Sequence, residues 1–322
     1  MKVGFIGLGT MGASMAANLQ VHLAKSNHGL VVHDMRKASA EAHLAKGATW
    51  ADSPRALAEQ CDVIFASLPG PPEVEAVALG ANGLIAGMKK GAAFFDLTTN
   101  SPTTVRKIQA LFQDKGLHML DAPVSGGPAG ARSGKLALWI GGEPSVFNEH
   151  KALLDAIGDQ ARYVGPIGAG SVAKLVHNCA GYTMQAALAE VFALGVKGGV
   201  EPLALWEAVR GGALGRRRTF DGLIDQFLPA TYDPAHFALR LAHKDVTLAT
   251  QLGRDLGVPM RLSNMALAEM TEAMNRGWQD RDSRSPMLLQ LERSGVAIAV
   301  EPERLKAALD RDPPAKGDPK RS

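Results

Sequence analysis

The glycine frame Gly7-Leu-Gly9-Thr-Met-Gly12 follows the apolar run Val3-Gly-Phe-Ile6 and opens the helical spacing of Met11 to Leu23, and little else in the chain constrains its fold as strongly. A strand that re-enters at once as a helix needs a tight turn, a close backbone approach and a close helix–strand contact, one glycine for each. The helix start then offers free N–H groups and a partial positive charge, a setting suited to a diphosphate. Leu30-Val-Val-His33 reads as the second strand of a βαβ unit, with Asp34 at its end. An acid at that place accepts hydrogen bonds from an adenosine ribose. A dinucleotide held by Gly7, Leu8, Gly9, Met11, Gly12 and Asp34 is the expectation.

The Asp34 carboxylate would repel a 2′-phosphate, so NAD is the expected cofactor. Arg36, two residues on, can stack on adenine or pair with a 2′-phosphate, which leaves NADP open.

Further short apolar runs at 62–66, 92–95, 118–120 and 136–140 alternate with helical stretches, as in an open, mostly parallel, doubly wound α/β sheet. The character changes after Gly165-Pro-Ile-Gly168-Ala-Gly170, which reads as a hinge before a long helix from about Ser171 to Lys197. Helical spacing recurs at 203–210, 242–256 and 264–276, with little strand signal. Three segments are expected: a dinucleotide-binding Rossmann domain over 1–165, an all-helical substrate and oligomerisation domain over 166–300, and a disordered tail over 301–322, where charge and proline dominate.

Composition closes off several function classes. With 322 residues, 46% hydrophobic and 21% charged, the chain can bury a large core, and its net charge of +3 with dispersed basic residues implies neither a nucleic-acid nor a membrane-surface partner. No apolar run has the length of a membrane span free of charge. Cys61 and Cys179 form neither a disulfide framework nor a metal-ligand spacing, so both are expected as reduced core thiols, with no metal. The first strand starts at Lys2, leaving no room for a cleavable signal, and a cytoplasmic location is expected.

The candidate chemistry lies further on. Lys174 and Asn178 in Gly168-Ala-Gly170-Ser-Val-Ala-Lys174-Leu-Val-His-Asn178 share one helix face, one turn apart. Asp121-Ala-Pro123-Val-Ser125-Gly126-Gly127 follows the run 118–120, at the strand end where open α/β sheets take ligands, and its hydroxyl and glycine N–H groups suit a carboxylate. His177 lies about 100° away from Lys174's neighbours around the helix and reads as a packing residue. His243 reads either as an orienting partner of Lys244 or as a solvent-facing side chain. Arg216, Arg217 and Arg218 read as a solvated face or interface, or as a source of one arginine for a second anionic group.

Taken in order, Phe5-Ile-Gly7-Leu-Gly9-Thr-Met-Gly12, Asp121-Ala-Pro-Val-Ser125-Gly-Gly127, Gly168-Ala-Gly170-Ser-Val-Ala-Lys174-Leu-Val-His-Asn178 and His243-Lys244-Asp245 resemble the β-hydroxyacid dehydrogenase family over roughly residues 1–300. That family includes 3-hydroxyisobutyrate dehydrogenase and tartronate semialdehyde reductases. The resemblance implies a long connecting helix, a helical domain that mediates homodimers or homotetramers, and a small hydroxy acid as substrate. It also implies Lys174 as the catalytic residue, Asn178 as its substrate-binding neighbour and Ser125, Gly126 and Gly127 on the substrate carboxylate. Leu68, Pro69, Thr98 and Lys244 match positions lining the cofactor.

Chemistry agrees with the lysine. Releasing hydride from a hydroxyl carbon requires loss of the hydroxyl proton or stabilisation of the alkoxide, and a positioned amine can provide either. The expected function is NAD(P)-dependent hydride transfer with a small 3-hydroxy acid or its semialdehyde, bound between the two domains. The alternatives are an NADPH-dependent glyoxylate, succinic or tartronate semialdehyde reductase and, outside enzymes, a catalytically silent dinucleotide-sensing scaffold. 6-Phosphogluconate dehydrogenase shares the plan but has a larger helical domain than this chain has room for.

Overall fold

The computed structural model describes residues 1–26, 28–212, 219–257 and 260–311. Its first compact unit, Met1–Leu175, is built on one sheet. The strands are β1 (Lys2–Ile6), β2 (Gly29–His33), β3 (Thr49–Trp50), β4 (Val63–Ala66), β5 (Ala93–Asp96), β6 (His118–Asp121), β7 (Val124–Ser125), β8 (Ala137–Gly141) and β9 (Gln160–Gly165). Their order is β3-β2-β1-β4-β5-β6-β8-β7, with β9 paired to β8. From β3 to β6 every pairing is parallel. The order reverses between β1 and β4, the place where an open α/β sheet leaves a crevice at its carboxyl ends.

Alternation of side chains along each strand supplies both faces with apolar groups. Val3 and Phe5 of β1, Phe65 of β4 and Phe95 of β5 enter one buried cluster, whereas Ile6, Ile64 and Phe94 enter the other. Phe65 stacks between Phe5 and Phe95 at centroid distances of 6.5 and 5.2 Å. Helices cover both faces. Gly12–Ala24 contributes Met15, Leu19 and Leu23 to the first cluster, and Pro102–Gln113 contributes Val105, Ile108 and Phe112 to the second. The latter helix starts with a proline in its first turn behind Ser101, whose hydroxyl accepts the Thr103 N–H at 3.2 Å.

The doubly wound expectation holds, with one reversal inside it. β8, the run anticipated at 136–140, pairs antiparallel with β6 and β7. Between β7 and β8 lies only the helix Gly127–Ser133, about 10 Å long and too short to carry the chain back along the sheet, so it re-enters from the end where it left. The strands β3, β7 and β9 were not anticipated: two are two residues long, and β9 is largely exposed and lacks apolar alternation.

The second unit, Val176–Ser322, contains helices joined by loops and, among its described residues, no strand beyond the isolated bridge of Ala238 with Asp282. The division falls inside the long helix Ala169–Lys197. Pro202–Gly211, Leu239–Asp255, Arg261–Asn275 and Met287–Ser294 follow. Trp206, Phe227, Leu228 and Met287 share a buried cluster with Ile298 and Val300. A second cluster joins Leu239, Ala242 and Val246 to Met270, Ala273 and Leu289. Among the described residues no helix is long and apolar enough to cross a membrane.

The tail expectation needs correcting over its first half. Pro302–Arg311 is a helix whose Leu305 and Ala308 are buried in the Trp206 cluster, while Glu303, Arg304 and Lys306 stay exposed. Three-residue spacing gives this segment an apolar stripe that averaging with the polar residues after it concealed. Residues 312–322, like Arg216, Arg217 and Arg218, lie outside the described residues.

Candidate active site

At the carboxyl end of β1 the backbone turns at Gly7 with φ +88°, and a Cβ there would stand 2.2 Å from the Ser67 carbonyl oxygen. The loops after β1 and β4 therefore touch across the point where the strand order reverses. Gly12 is equally tight, a Cβ coming within 1.8 Å of the Gly7 oxygen, so the helix start packs directly on the turn. Gly9 is exposed and would meet nothing within 4 Å. No side chain caps the helix Gly12–Ala24. A closed turn, an open glycine and an uncapped helix start fit a diphosphate, whose oxygens accept what the backbone leaves over.

Asp34 reaches back to this turn. Leu8 N–H donates to its Oδ2 at 2.7 Å and Arg36 N–H to its Oδ1 at 2.9 Å. Each oxygen keeps a further lone pair, which is what ribose hydroxyls need. Leu68 N–H donates to Thr98 Oγ1 at 3.0 Å, joining two residues expected to line the cofactor. Below them, Thr98 N–H and Asn100 Nδ2 donate to the two oxygens of fully buried Asp96, at 3.0 and 2.7 Å. Burial pushes the Asp96 carboxyl up to about 6, with the Asn100 and Thr98 donors opposing and the Asp121 charge adding to the rise. Pro69 is exposed and Met11 half-buried.

Asp121, Ser125, Gly126 and Gly127 follow one another at the end of β6. Ser125 is half-buried in β7, paired with Ala137, and Gly126 and Gly127 take φ +135° and +60°. A side chain at Gly127 would meet nothing within 4 Å. The Asp121 carboxylate is buried and accepts Gly168 N–H, just ahead of the long helix, at 2.8 Å and Ser171 N–H, in its first turn, at 2.6 Å. Lys174, half-buried, stands three residues after Ser171.

In the second unit, Asn178 Nδ2 donates to Asp245 Oδ2 at 2.5 Å, and Lys244 Nζ lies 3.0 Å from Asp245 Oδ1. Asp245 is 2% exposed, so its charge is balanced by Lys244 and by the amide. Two residues expected at the site thus meet through a third that had been given no role. His243 Nε2 pairs with Thr271 Oγ1 at 2.9 Å instead of Lys244, and burial lowers its pKa. His177, expected as a packing residue, is exposed. Burial raises the Tyr182 hydroxyl, one turn beyond Asn178, above its ordinary value. Cys61 and Cys179 are buried free thiols. Among the described residues no cluster of His, Cys, Asp and Glu could hold a metal ion.

The sequence reading missed Asp96 and the tasks of Asp121 and Asp245. Asp121 and Asp245 sat inside the quoted motifs, and an acid next to glycine-rich or cationic residues was the available signal.

Known proteins complete the picture. Residues 2–165 match the model for the NAD binding domain of 6-phosphogluconate dehydrogenase, and residues 168–289 match that for NAD-binding of NADP-dependent 3-hydroxyisobutyrate dehydrogenase. The chain is 35% identical over 301 residues to 2-(hydroxymethyl)glutarate dehydrogenase of Eubacterium barkeri, covering 93% of this chain and 98% of that one. It belongs to the β-hydroxyacid dehydrogenase family. Within that family it is 33% identical to 2-hydroxy-3-oxopropionate reductase of Escherichia coli over 90% of this chain and 98% of the relative. The solved 3-hydroxyisobutyrate dehydrogenase of Mycobacterium tuberculosis with L-serine has a TM-score of 0.77 at 28% identity, covering 89% of this chain and 98% of that structure. The chain is an NAD(P)-dependent oxidoreductase of the hydroxy acid and semialdehyde class.

Proposed function

We propose that the enzyme interconverts a small 3-hydroxy acid and its semialdehyde, with NAD preferred over NADP and Lys174 as the acid/base. The reading rests most heavily on one observation: Asn178 and Lys244, distant in sequence and each matching a family motif, share the buried carboxylate of Asp245. Residues 1–165 hold the dinucleotide and 166–300 serve substrate binding and assembly. When bound, the nicotinamide supplies the hydride acceptor or donor.

The remaining work falls to side chains and backbone of this chain. Ser125 and the N–H groups of Gly126 and Gly127 bind the substrate carboxylate, fixing which end of the molecule faces the lysine. Lys174 Nζ, as the amine, takes the hydroxyl proton while the carbon loses its hydride and the C=O bond forms. In the reverse direction the ammonium returns that proton to oxygen. Asn178 has one amide N–H committed to Asp245, which leaves its second N–H and its Oδ1 for the substrate. Asp34 holds the ribose.

The working form is a cytoplasmic homodimer or homotetramer. Val176, Met184, Leu262 and Met265, all more than half exposed, are the kind of surface a second copy covers. Replacing Lys174 by Ala tests the core of the reading: turnover of 3-hydroxy acids, followed by NADH absorbance, falls to a trace residual rate while NAD still binds. Wild-type turnover in Lys174→Ala refutes the assigned role.

A further inference from the structure

We propose that Asp121 is a positioning residue that pins the first turn of the long helix, and through it Lys174, to the strand end leading into Ser125, Gly126 and Gly127. The inference rests on the reading of Lys174 given above and adds what holds that lysine in place.

The backbone of Asp121 is itself fixed, paired with Asp96 of β5 on one side and Gly141 of β8 on the other. From this base the carboxylate receives Gly168 N–H on Oδ1 and Ser171 N–H on Oδ2. The first N–H groups of any helix lack intrahelical partners, and a Ser, Thr, Asp or Asn at the local cap usually takes one of them. Here Gly168, just ahead of the helix, has no side chain, and the acceptor comes from a residue 47 positions earlier. The cap is therefore also a tether. Burial raises the Asp121 carboxyl above its ordinary value, and the Ser171 and Gly168 N–H groups oppose that rise, as donors at a helix N-terminus do for an anion.

Steric detail says that the contact is close-fitted. A Cβ on Gly141 would lie 2.4 Å from Asp121 Oδ1 and 2.9 Å from Ala169 N. One on Gly170 would lie 2.2 Å from the Trp139 carbonyl oxygen and 2.7 Å from that of Asp121. Gly168 takes φ +90°, a conformation that L side chains rarely adopt, beside Arg106, whose Nε donates to Ile167 O at 3.3 Å. The helix start thus rests on the ends of β6 and β8 with no methyl-sized gap. Ser125 follows Asp121 by four residues and Lys174 follows Ser171 by three, so one buried carboxylate links the carboxylate-binding loop to the lysine through two short, rigid paths.

Steady-state kinetics and amide hydrogen exchange on the full chain test this, with Asp121→Asn, Gly170→Ala, Lys174→Ala and the Asp121→Asn/Lys174→Ala double variant. Asn keeps the shape but turns one acceptor into an NH2 facing an N–H. Gly170→Ala keeps the carboxylate but lifts the helix start off the sheet. Either single change is expected to lower kcat about ten- to hundredfold, the scale of a 1 Å misplacement, and to leave KM for NAD within about twofold. Exchange over residues 166–175 should quicken at least about fivefold while peptides from β1 and β4 hold their rates. In the Lys174→Ala background, Asp121→Asn should change the residual rate less than about twofold, because the two act as one unit.

Unchanged exchange at 166–175, wild-type kcat in both single variants, or an equal fold loss with and without Lys174 overturns the positioning role while leaving Lys174 itself standing. Wild-type turnover in Lys174→Ala instead removes the catalytic purpose of the tether, whatever the exchange data give.

Discussion

Replacing Asp96 by Asn should produce a stability difference that depends on pH in one direction. Burial raises this carboxyl from its ordinary value of 3.8 to about 6. Each pH unit of that rise corresponds to about 1.4 kcal/mol, so holding Asp96 ionised in the folded state costs roughly 3 kcal/mol. Below the unfolded value both states carry the proton and nothing is lost. Between about pH 4 and pH 6 the folded protein binds more protons than the unfolded chain, so stability from this group falls as pH rises, and above about pH 7 the full cost is present. Asn cannot ionise and escapes it, although it surrenders one of the two acceptors now serving Thr98 N–H and Asn100 Nδ2.

The lost acceptor is worth about 1 to 3 kcal/mol and does not vary with pH. Subtracting wild type from Asp96→Asn at each pH therefore cancels the carboxylates that do not interact with Asp96, and leaves its titration together with its coupling to Asp121. The difference should move in favour of Asn by roughly 3 kcal/mol between about pH 4 and pH 7.5. Denaturant unfolding followed by the fluorescence of the four tryptophans, of which Trp50 and Trp139 lie in the same unit as Asp96, measures it. A difference that stays flat across this range, or moves the other way, refutes the assignment of a raised carboxyl to Asp96.

Three further outcomes are expected. Asp34→Ala should raise KM for NAD about ten- to hundredfold, by the loss of charged hydrogen bonds worth roughly 1.5 to 3 kcal/mol, and narrow the preference over NADP; initial rates with both cofactors decide, and a large NADPH preference in wild type contradicts the reading. Asp245→Ala should lower kcat/KM by about two orders of magnitude, because a buried charge partner and the tie on Asn178 disappear together, and activity near wild type would show that the three do not act jointly. Leu305→Ala, at a position 8% exposed, should cost about 2 kcal/mol and lower Tm, whereas an unchanged Tm would mean that the helix Pro302–Arg311 contributes nothing to the core.

What could be read directly from the chain was whatever depends on neighbours in sequence. The glycine frame at 7–12, the apolar strand run at 3–6 and the helical spacing of 242–256 are local, and each appears in the fold within a few residues of its expected limits. The direction of β8 was hidden because it follows from the length of the helix Gly127–Ser133 and not from any property of residues 137–141. Edge strand β9 was hidden because exposure on an edge removes the apolar pattern by which strands are recognised. The helix at 302–311 was hidden because composition averages over segments with different fates.

The candidate site divides along the same line. Groups that would touch a ligand, such as Lys174, Ser125 or Gly9, announce themselves by residue type beside a turn or on a helix face. The groups that hold them do not, because their partners are far away in the chain. Asp96 takes the Thr98 N–H, Asp121 the Gly168 and Ser171 N–H groups at the start of the Lys174 helix, and Asp245 the Asn178 amide and the Lys244 ammonium. All three are buried acids. An unpaired buried carboxylate is costly enough that each must have been enclosed with its donors in place, so each marks a contact that the fold must make for the acid to be tolerated at all. Buried acids one step behind the cations and glycines are accordingly the residues whose exchange for a neutral isostere should disturb chemistry while sparing the surface that meets the ligand.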